Sequence, residues 1–590
     1  MIHARPTVGL VVAALAAAGL CAAPAHSADP AKVLRIAVTD IDTLDPQQYS
    51  DNPSFQVIQA LFEPAYEFDY LARTPTLTPL TAEGPPDITD GGRTWTIRFK
   101  HGILFHDDPA FHGKPRELTA DDYVYAYKRW LDPNGRRAGQ PVLTDLILGA
   151  RPVVDAAKKT GRFDFDAPIA GLRALDRYTL RIAMSDVNFP NVRDLLGFVG
   201  ALPREVVDAA GGDVRAHPVG TGPYRLKEWK RGSRIVLEAN PRYRAAAFPA
   251  SDDPADAALV ASMKGKRVPF AGTVELSFVD EDLTRLLLFE QGRIDLVQLR
   301  GEIATRLLGH GTLRPAVAAR GITRHVHAEP FLFSLYFNLD DPLVGGTARE
   351  RIALRRAIAL GYDVDALIGV VLAGQAIPAG QMIPPGVGGH DPALPARSAY
   401  DPATANALLD RSGYGKRDAE GYRLAPDGGR LTLTLSLRTG GTSREIQTLF
   451  RKNMGALALR TAFEQAAFQE LVKNLERGQF QLYAGGWGGS PSGYNVHAQL
   501  HARQPQRVNI SRFASADYDL AAERFLRAQT DTGQLDAARA MNEVRRAFMP
   551  QLPLYFRLES DYVQPWVAGF RPQVFSSYWK YLDIDPAKRR

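Results

Sequence analysis

The sequence predicts a mixed α/β protein of two or three lobes, on three observations. Segments that alternate apolar and polar residues with period two recur from end to end. Amphipathic segments with helical spacing lie between them. A chain of 590 residues also exceeds what one hydrophobic core can organise.

In chain order, the first element is a predicted leader over residues 1–28. Arg5 supplies its positive charge, and Gly9 to Leu20 form an apolar run of twelve residues. That run is too short to cross ~30 Å of hydrocarbon but suits a secretory signal peptide, with cleavage after Ala25 or Ser27. Cys21, the only cysteine, lies inside it, and Leu20 stands where lipid attachment requires a small residue. The expected mature protein therefore has no thiol, no disulfide and no anchor, and its expected location is the periplasm.

The predicted strands follow. Leu34, Ile36 and Val38 alternate in "LRIAVTD", Trp95, Ile97 and Phe99 in "TWTIRFK", and Ile235 and Leu237 in "SRIVLEA". Val274, Leu276 and Phe278 alternate in "TVELSFV", and Leu431, Leu433, Leu435 and Leu437 share one face of "LTLTLSLR". Among the helices, "LTADDYVYAYKRWL" opens with Thr119 and Asp122 as a capping box. "ARERIALRRAIALGYDVDALIG" places Leu354, Ala357 and Ile358 at helical spacing, and "ADYDLAAERFLRA" is similar. The segment 245–269 fits neither period and reads as a surface insertion.

The formal charge of +6 is spread over interleaved acids and bases, which argues for a solvated mixed surface and against nucleic acid. His101, His106 and His112 stand beside Asp107 and Asp108, but their spacing does not put three imidazoles on one face, so no metal is expected. His325 and His327 alternate on a predicted strand without a third ligand. Ser490 and Ser492 lack the G-x-S-x-G order of a nucleophile elbow, and "GTGPY" lacks the G-K-(S/T) ending of a phosphate loop. No catalytic constellation and no cofactor are expected.

Residues 217–244, "HPVGTGPYRLKEWKRGSRIVLEANPRYR", resemble the signature of the family 5 solute-binding proteins of ABC importers, the dipeptide- and oligopeptide-binding type. "LDPQQYS", "DGGRTWTIRFKHGILFHD", "FEQGRIDL", "FNLDDPLVGGTARERIALRRAIALGYDVDALI" and "QPWVAGF" resemble further blocks of that family in the same order, over roughly residues 32 to 584. The resemblance implies a periplasmic binding protein-like fold of two lobes that close over solute by hinge bending. By that analogy 29–64, 200–298 and 548–590 build lobe I, 65–199 form an extra subdomain, and 299–547 build lobe II. It also implies capture of a peptide-like or other medium-sized polar solute by a monomer, and delivery to an inner-membrane permease and ATPase. A periplasmic hydrolase and a periplasmic chaperone or scaffold are the alternatives.

For the cleft, the resemblance points to "AGGWGGSPSGYN" (484–495). In peptide-binding relatives a Gly-Trp-x-x-Asp block supplies a carboxylate to the peptide ammonium. Here Trp487 takes the tryptophan position and Ser490 the aspartate position, and no acid occurs between Glu476 and Asp517. A buried ammonium without an anion costs several kcal/mol. Either the ligand lacks a free amine at that end, or an acid from elsewhere serves, with Asp51 of the turn Ser50-Asp51-Asn52 as the candidate. Trp487 is expected to stack on the ligand, the backbone groups of Gly486 to Gly489, Gly488 among them, to hydrogen-bond it, Ser490 and Ser50 to make neutral polar contacts, and Asn52 and the aromatic Tyr494 to line the cleft. Arg438 is expected to meet a ligand carboxylate. Tyr49 lies near the same cleft by analogy, and Phe331 is assigned to the core.

Overall fold

The computed structural model describes residues 28–49, 51–135, 141–244, 246–309, 311–394 and 399–589. Residues 1–27 of the predicted leader, and Ser50, lie outside the described residues. Besides four two-stranded sheets, the strands of the two larger sheets are β1 (Val33–Val38), β2 (Asp87–Thr89), β3 (Thr94–Arg98), β4 (Leu172–Asp176), β5 (Thr179–Ala183), β6 (Tyr224–Lys230), β7 (Arg234–Ala239) and β8 (Thr273–Phe278). They continue with β9 (Leu296–Leu299), β10 (Thr323–Phe337), β11 (Ala376–Pro378), β12 (Thr432–Arg438), β13 (Arg460–Ala466), β14 (Leu482–Gly488) and β15 (Gln551–Val563).

Eleven of these form one sheet in the order β13–β12–β14–β10–β15–β9–β1–β8–β7–β6, with β11 paired to β15. β1 runs parallel to β8 and β9, and β12 parallel to β13 and β14. The mixed α/β class read from the sequence is what forms. A separate four-stranded sheet, β2–β3–β5–β4, is built wholly from residues between Asp87 and Ala183.

The alternating segments fold as their pattern requires. Trp95, Ile97 and Phe99 are buried along β3, and Leu433, Leu435 and Leu437 along β12. The helix Ala120–Leu131 starts at the capping box, with the Asp122 carboxylate accepting from the Thr119 amide at 2.7 Å. In "KRG", Gly232 takes φ +66° and turns β6 back as β7. Gly220 is glycine for space, because a Cβ there would lie 2.0 Å from the Leu61 carbonyl oxygen. The 245–269 segment is pinned to the body: Met263 is buried, and Asp256 accepts from Arg571 at 2.5 Å and Arg73 at 3.3 Å.

Two long strands join the halves of the large sheet. β10 pairs with β14 on the second-half side, through Phe331–Phe337, whereas the end of β15 pairs with β9 on the first-half side, through Ser560–Val563. Between β10 and β15 the register breaks, from Ala328 opposite Leu558 to Leu332 opposite Phe556. The three residues left over are Glu329, Pro330 and Phe331. Proline suits the break because it has no N–H to donate to a ladder.

Candidate functional site

The register break lies in the wall of a cavity of about 660 Å³ between the halves. The first half contributes the end of β1, residues 52, 53 and 56 of the helix Asn52–Leu61, and Gln298 and Arg300. The second half contributes Gly488 and Gly489. Glu329, Pro330 and Phe331 form the floor, and Phe570 to Trp579 close one side. Gly489 donates its amide to the Pro330 carbonyl at 2.6 Å, which ties the glycine-rich turn to the floor.

Charge is concentrated on that floor because β10 and β15 each put alternate residues there. His327 lies 3.3 Å from Asp561 and 3.5 Å from Glu559, its register partner. Burial opposes its charge, but the two carboxylates outweigh it and hold its pKa at about 9. Gln298 donates to Glu559 at 2.9 Å, and Arg300 stands 3.6 Å from it. Burial, reinforced by Glu559, pushes the Glu329 carboxyl above its ordinary value. Among the described residues its buried Oε2 has no hydrogen-bond donor, and the Arg557 guanidinium is 3.6 Å away. The floor thus offers an acceptor without a donor beside an aromatic face.

The residues expected from sequence are distributed unevenly around this cavity. Gly488 and Asn52 line it. Gly486 does not, and is glycine because the Phe331 ring crosses it: a Cβ would lie 2.0 Å from that ring. Trp487, opposite Leu332 on β14, packs half-buried against the cores of the second half instead of facing the cavity. Tyr494 is likewise buried, stacked 6.2 Å from Phe525. Tyr49 is buried beside Phe55. Arg438 is exposed at the end of β12 with its guanidinium over Phe468, outside the cavity. Phe331 reverses its core assignment and lines the cavity. Alternation explains the exchange, since facing strands turn Phe331 and Trp487 to different surroundings.

Asp51 does not serve the serine turn. It caps the helix Asn52–Leu61, accepting from the Ser54 amide at 2.7 Å and the Ser54 hydroxyl at 2.8 Å. The acid that arrives there is Asp194, from the helix Phe189–Phe198. It accepts from the Ser492 hydroxyl at 2.7 Å and the Ser492 amide at 3.1 Å. The Ser490 hydroxyl lies 3.2 Å from that of Ser492, and the Ser490 amide donates to Asn495 at 2.7 Å. Burial pushes the Asp194 carboxyl up to about 7 despite these donors. Asp194 and Ser492 also line a second space of about 590 Å³ between the halves. No local signal in the sequence marks Asp194, since its partner is 298 residues away.

The candidate histidines separate. His101 stacks on Tyr178, His106 bonds the Pro218 carbonyl at 3.0 Å, and His112 ends a short turn with φ +52°. His325 meets Phe570 edge-on at 4.9 Å.

Compared with known proteins, residues 76–501 match the family of bacterial extracellular solute-binding proteins, family 5 (middle region). The chain is similar to Di/tripeptide-binding protein 2 of Pseudomonas aeruginosa, with 25% identity over 90% of this chain and 91% of the relative. It is similar also to the periplasmic oligopeptide-binding protein OppA of Salmonella typhimurium, with 22% identity over 97% and 95% of the two chains. Its fold is shared by HbpA2 from Haemophilus parasuis, with a TM-score of 0.72 at 16% identity, covering 94% of this chain and all of that one. A continuous sheet with its cavity at the crossing strands, and a family match spanning most of the chain, lead to one conclusion: the protein belongs to family 5 of the bacterial extracellular solute-binding proteins.

Proposed function

We propose that the protein is the periplasmic receptor of an ABC importer, taking a peptide-like or other medium-sized polar solute into the cavity at the β10/β15 register break and presenting it to an inner-membrane permease. The observation that carries this reading is the position of the cavity. It lies where two long strands pass between the halves and their ladder is interrupted, so bending there changes its width without breaking either core. Its volume suits a small solute. Phe331 would stack on the solute, Gly488 and Asn52 would offer polar contacts, and the bare Glu329 acceptor would take a donor from it. The same reading assigns 29–64, 200–298 and 548–590 to one lobe, 65–199 to an extra subdomain and 299–547 to the other lobe. Residues 1–28 would be its cleaved leader. The receptor would act as a monomer and would bind its solute without transforming it.

Native mass spectrometry of the purified protein, followed by calorimetry with the co-purifying compound, tests the proposal. One-to-one binding without product on prolonged incubation supports it. Turnover of chromogenic peptides or esters, or capture of unfolded chains in place of a small solute, would overturn it.

A further inference from the structure

We propose that the second half carries a separate site for a small amphipathic anion, a carboxylate or phosphate on a short aliphatic body. The site is a cavity of about 410 Å³ lined by Arg356, Arg545 and Arg546, with Leu360, Leu408 and Leu552 among its apolar walls. None of its lining residues belongs to the cavities between the halves. The volume falls within the ~300–1,000 Å³ typical of small-molecule pockets.

Three arginines line this cavity, and none of the other lining residues carries a carboxylate. Elsewhere in this half, Arg423 pairs with Asp410 at 2.6 Å and Arg460 with Asp418 and Glu420 at 2.6 Å each, whereas the fully buried Arg355 is held by the backbone carbonyls of Val344, Gly346 and Phe548. Arg545 is only 3% exposed, yet its partners are neutral. They are the Asn542 side-chain oxygen at 2.8 and 3.1 Å, the Gln551 carbonyl at 3.2 Å and the Gly380 carbonyl at 3.5 Å. Burial draws its pKa down to about 10, and no anion offsets that cost. Arg356 donates to the Ala547 carbonyl at 2.9 Å, and no partner of Arg546 is found among the described residues.

Capping of helix ends accounts for part of this charge. Arg545 and Arg546 stand in the last turn of the helix Asp531–Phe548, and the helix Arg349–Gly361 ends beside them through Ala359 and Leu360. Each helix end contributes only about half a negative charge, so two ends offset roughly one of the three guanidinium groups. The remainder faces a cavity that is otherwise apolar. An anionic head on that rim and an aliphatic body against Leu360, Leu408 and Leu552 satisfies both the charge and the surface.

The probe is octanoate, measured by calorimetry and thermal shift against octylamine and octanol. Octanoate is expected to bind and raise the melting temperature, and the other two are not. Arg356→Gln/Arg546→Gln is expected to lower octanoate affinity about tenfold or more, and Arg356→Lys/Arg546→Lys to recover part of it. Arg545 is left in place to preserve folding, and Arg546→Gln alone, an exposed position, substitutes if the double variant unfolds. Sedimentation with phosphatidylglycerol vesicles separates the sources. Retention competed by octanoate assigns the anion to a lipid headgroup, and octanoate binding without retention assigns it to a soluble amphiphile. Octanoate affinity unchanged in the glutamine variants, equal binding of octylamine, or no binding of octanoate or vesicles overturns the proposal.

Discussion

The two places where the halves meet are built on opposite principles. At the floor, β10 and β15 carry His327, Glu329, Glu559 and Asp561 into a half-dry network on strands that run through both halves. At the rim, one buried carboxylate, Asp194, takes two hydrogen bonds from a turn on the far side, with no cation within ion-pair distance among the described residues. Bending can preserve the floor, because its members ride on joined strands. It is not bound to preserve the rim, because Asp194 and Ser492 are joined across the second space by hydrogen bonds alone. The floor is therefore suited to permanence and the rim to release.

The largest effect expected from breaking this contrast is at His327. His327→Gln leaves Glu559 and Asp561 facing each other without their central cation, and should cost about 2–4 kcal/mol in urea unfolding. The pH dependence has a definite sign. The folded pKa of about 9 lies above the ordinary ~6.5 of histidine, so the contribution is full below ~6.5 and is lost as pH rises through 9. Wild type should lose stability over that window and His327→Gln should not. Parallel profiles for the two proteins would show that the floor is not held by this charge.

Asp194 comes next. Its folded pKa of about 7 is raised above the ordinary ~4, so its contribution is full below ~4 and fades as pH rises through 7. Above that, an ionised carboxylate is buried against two donors only, and the rim contact should weaken by roughly 1–3 kcal/mol. Small-angle scattering should show the radius of gyration of the unliganded protein growing between pH 5 and pH 8. Asp194→Asn should flatten that change, and an identical profile in the variant would detach the rim from lobe opening.

Phe331→Ala probes the floor as a binding surface and should weaken solute binding by about 1–1.5 kcal/mol, near tenfold. Trp487→Phe, behind the sheet face, should leave affinity within twofold and change stability instead; the reverse ranking by calorimetry would return the tryptophan to the cavity wall. The smallest effect is at Arg438: an exposed strand-end arginine should tolerate Arg438→Ala within ~0.5 kcal/mol and with unchanged solute affinity.

How much of this was legible in the sequence follows from what is local. Period-two burial on β3 and β12, the Thr119 capping box, and the tight path at Gly220 each depend on a few neighbouring residues, and the residue types declare them. The glycine-rich turn singled out in the sequence lies beside the cavity through Gly488 and Gly489. Which aromatic lines the cavity was not legible, because a one-residue change of register exchanges Phe331 and Trp487 between wall and core. The sequence reading offers Asp51, in the N-terminal turn that lines the cleft by analogy, as the carboxylate near Ser490. Tertiary packing instead spends Asp51 on a helix cap and brings Asp194 from a remote helix.

The sheet also dictates an order of assembly. β1 opens the sheet but pairs with strands that begin at Thr273 and Leu296, and the Asp295 side chain that receives the Arg35 amide is also bonded by Trp566 at 2.7 Å and Arg589 at 2.5 Å. Lys32 is tied in the same way to Asp583 at 2.5 Å, and β9 waits for Val563 to complete its edge. Half a thousand residues of sequence thus separate the opening strand from the segment that locks it. Such a topology makes closure slow relative to a chain of local contacts, and it leaves the half-made body without its last strand until the C-terminus has emerged. A polypeptide of this design stays unfinished, and so threadable, for nearly the whole time it takes to be made.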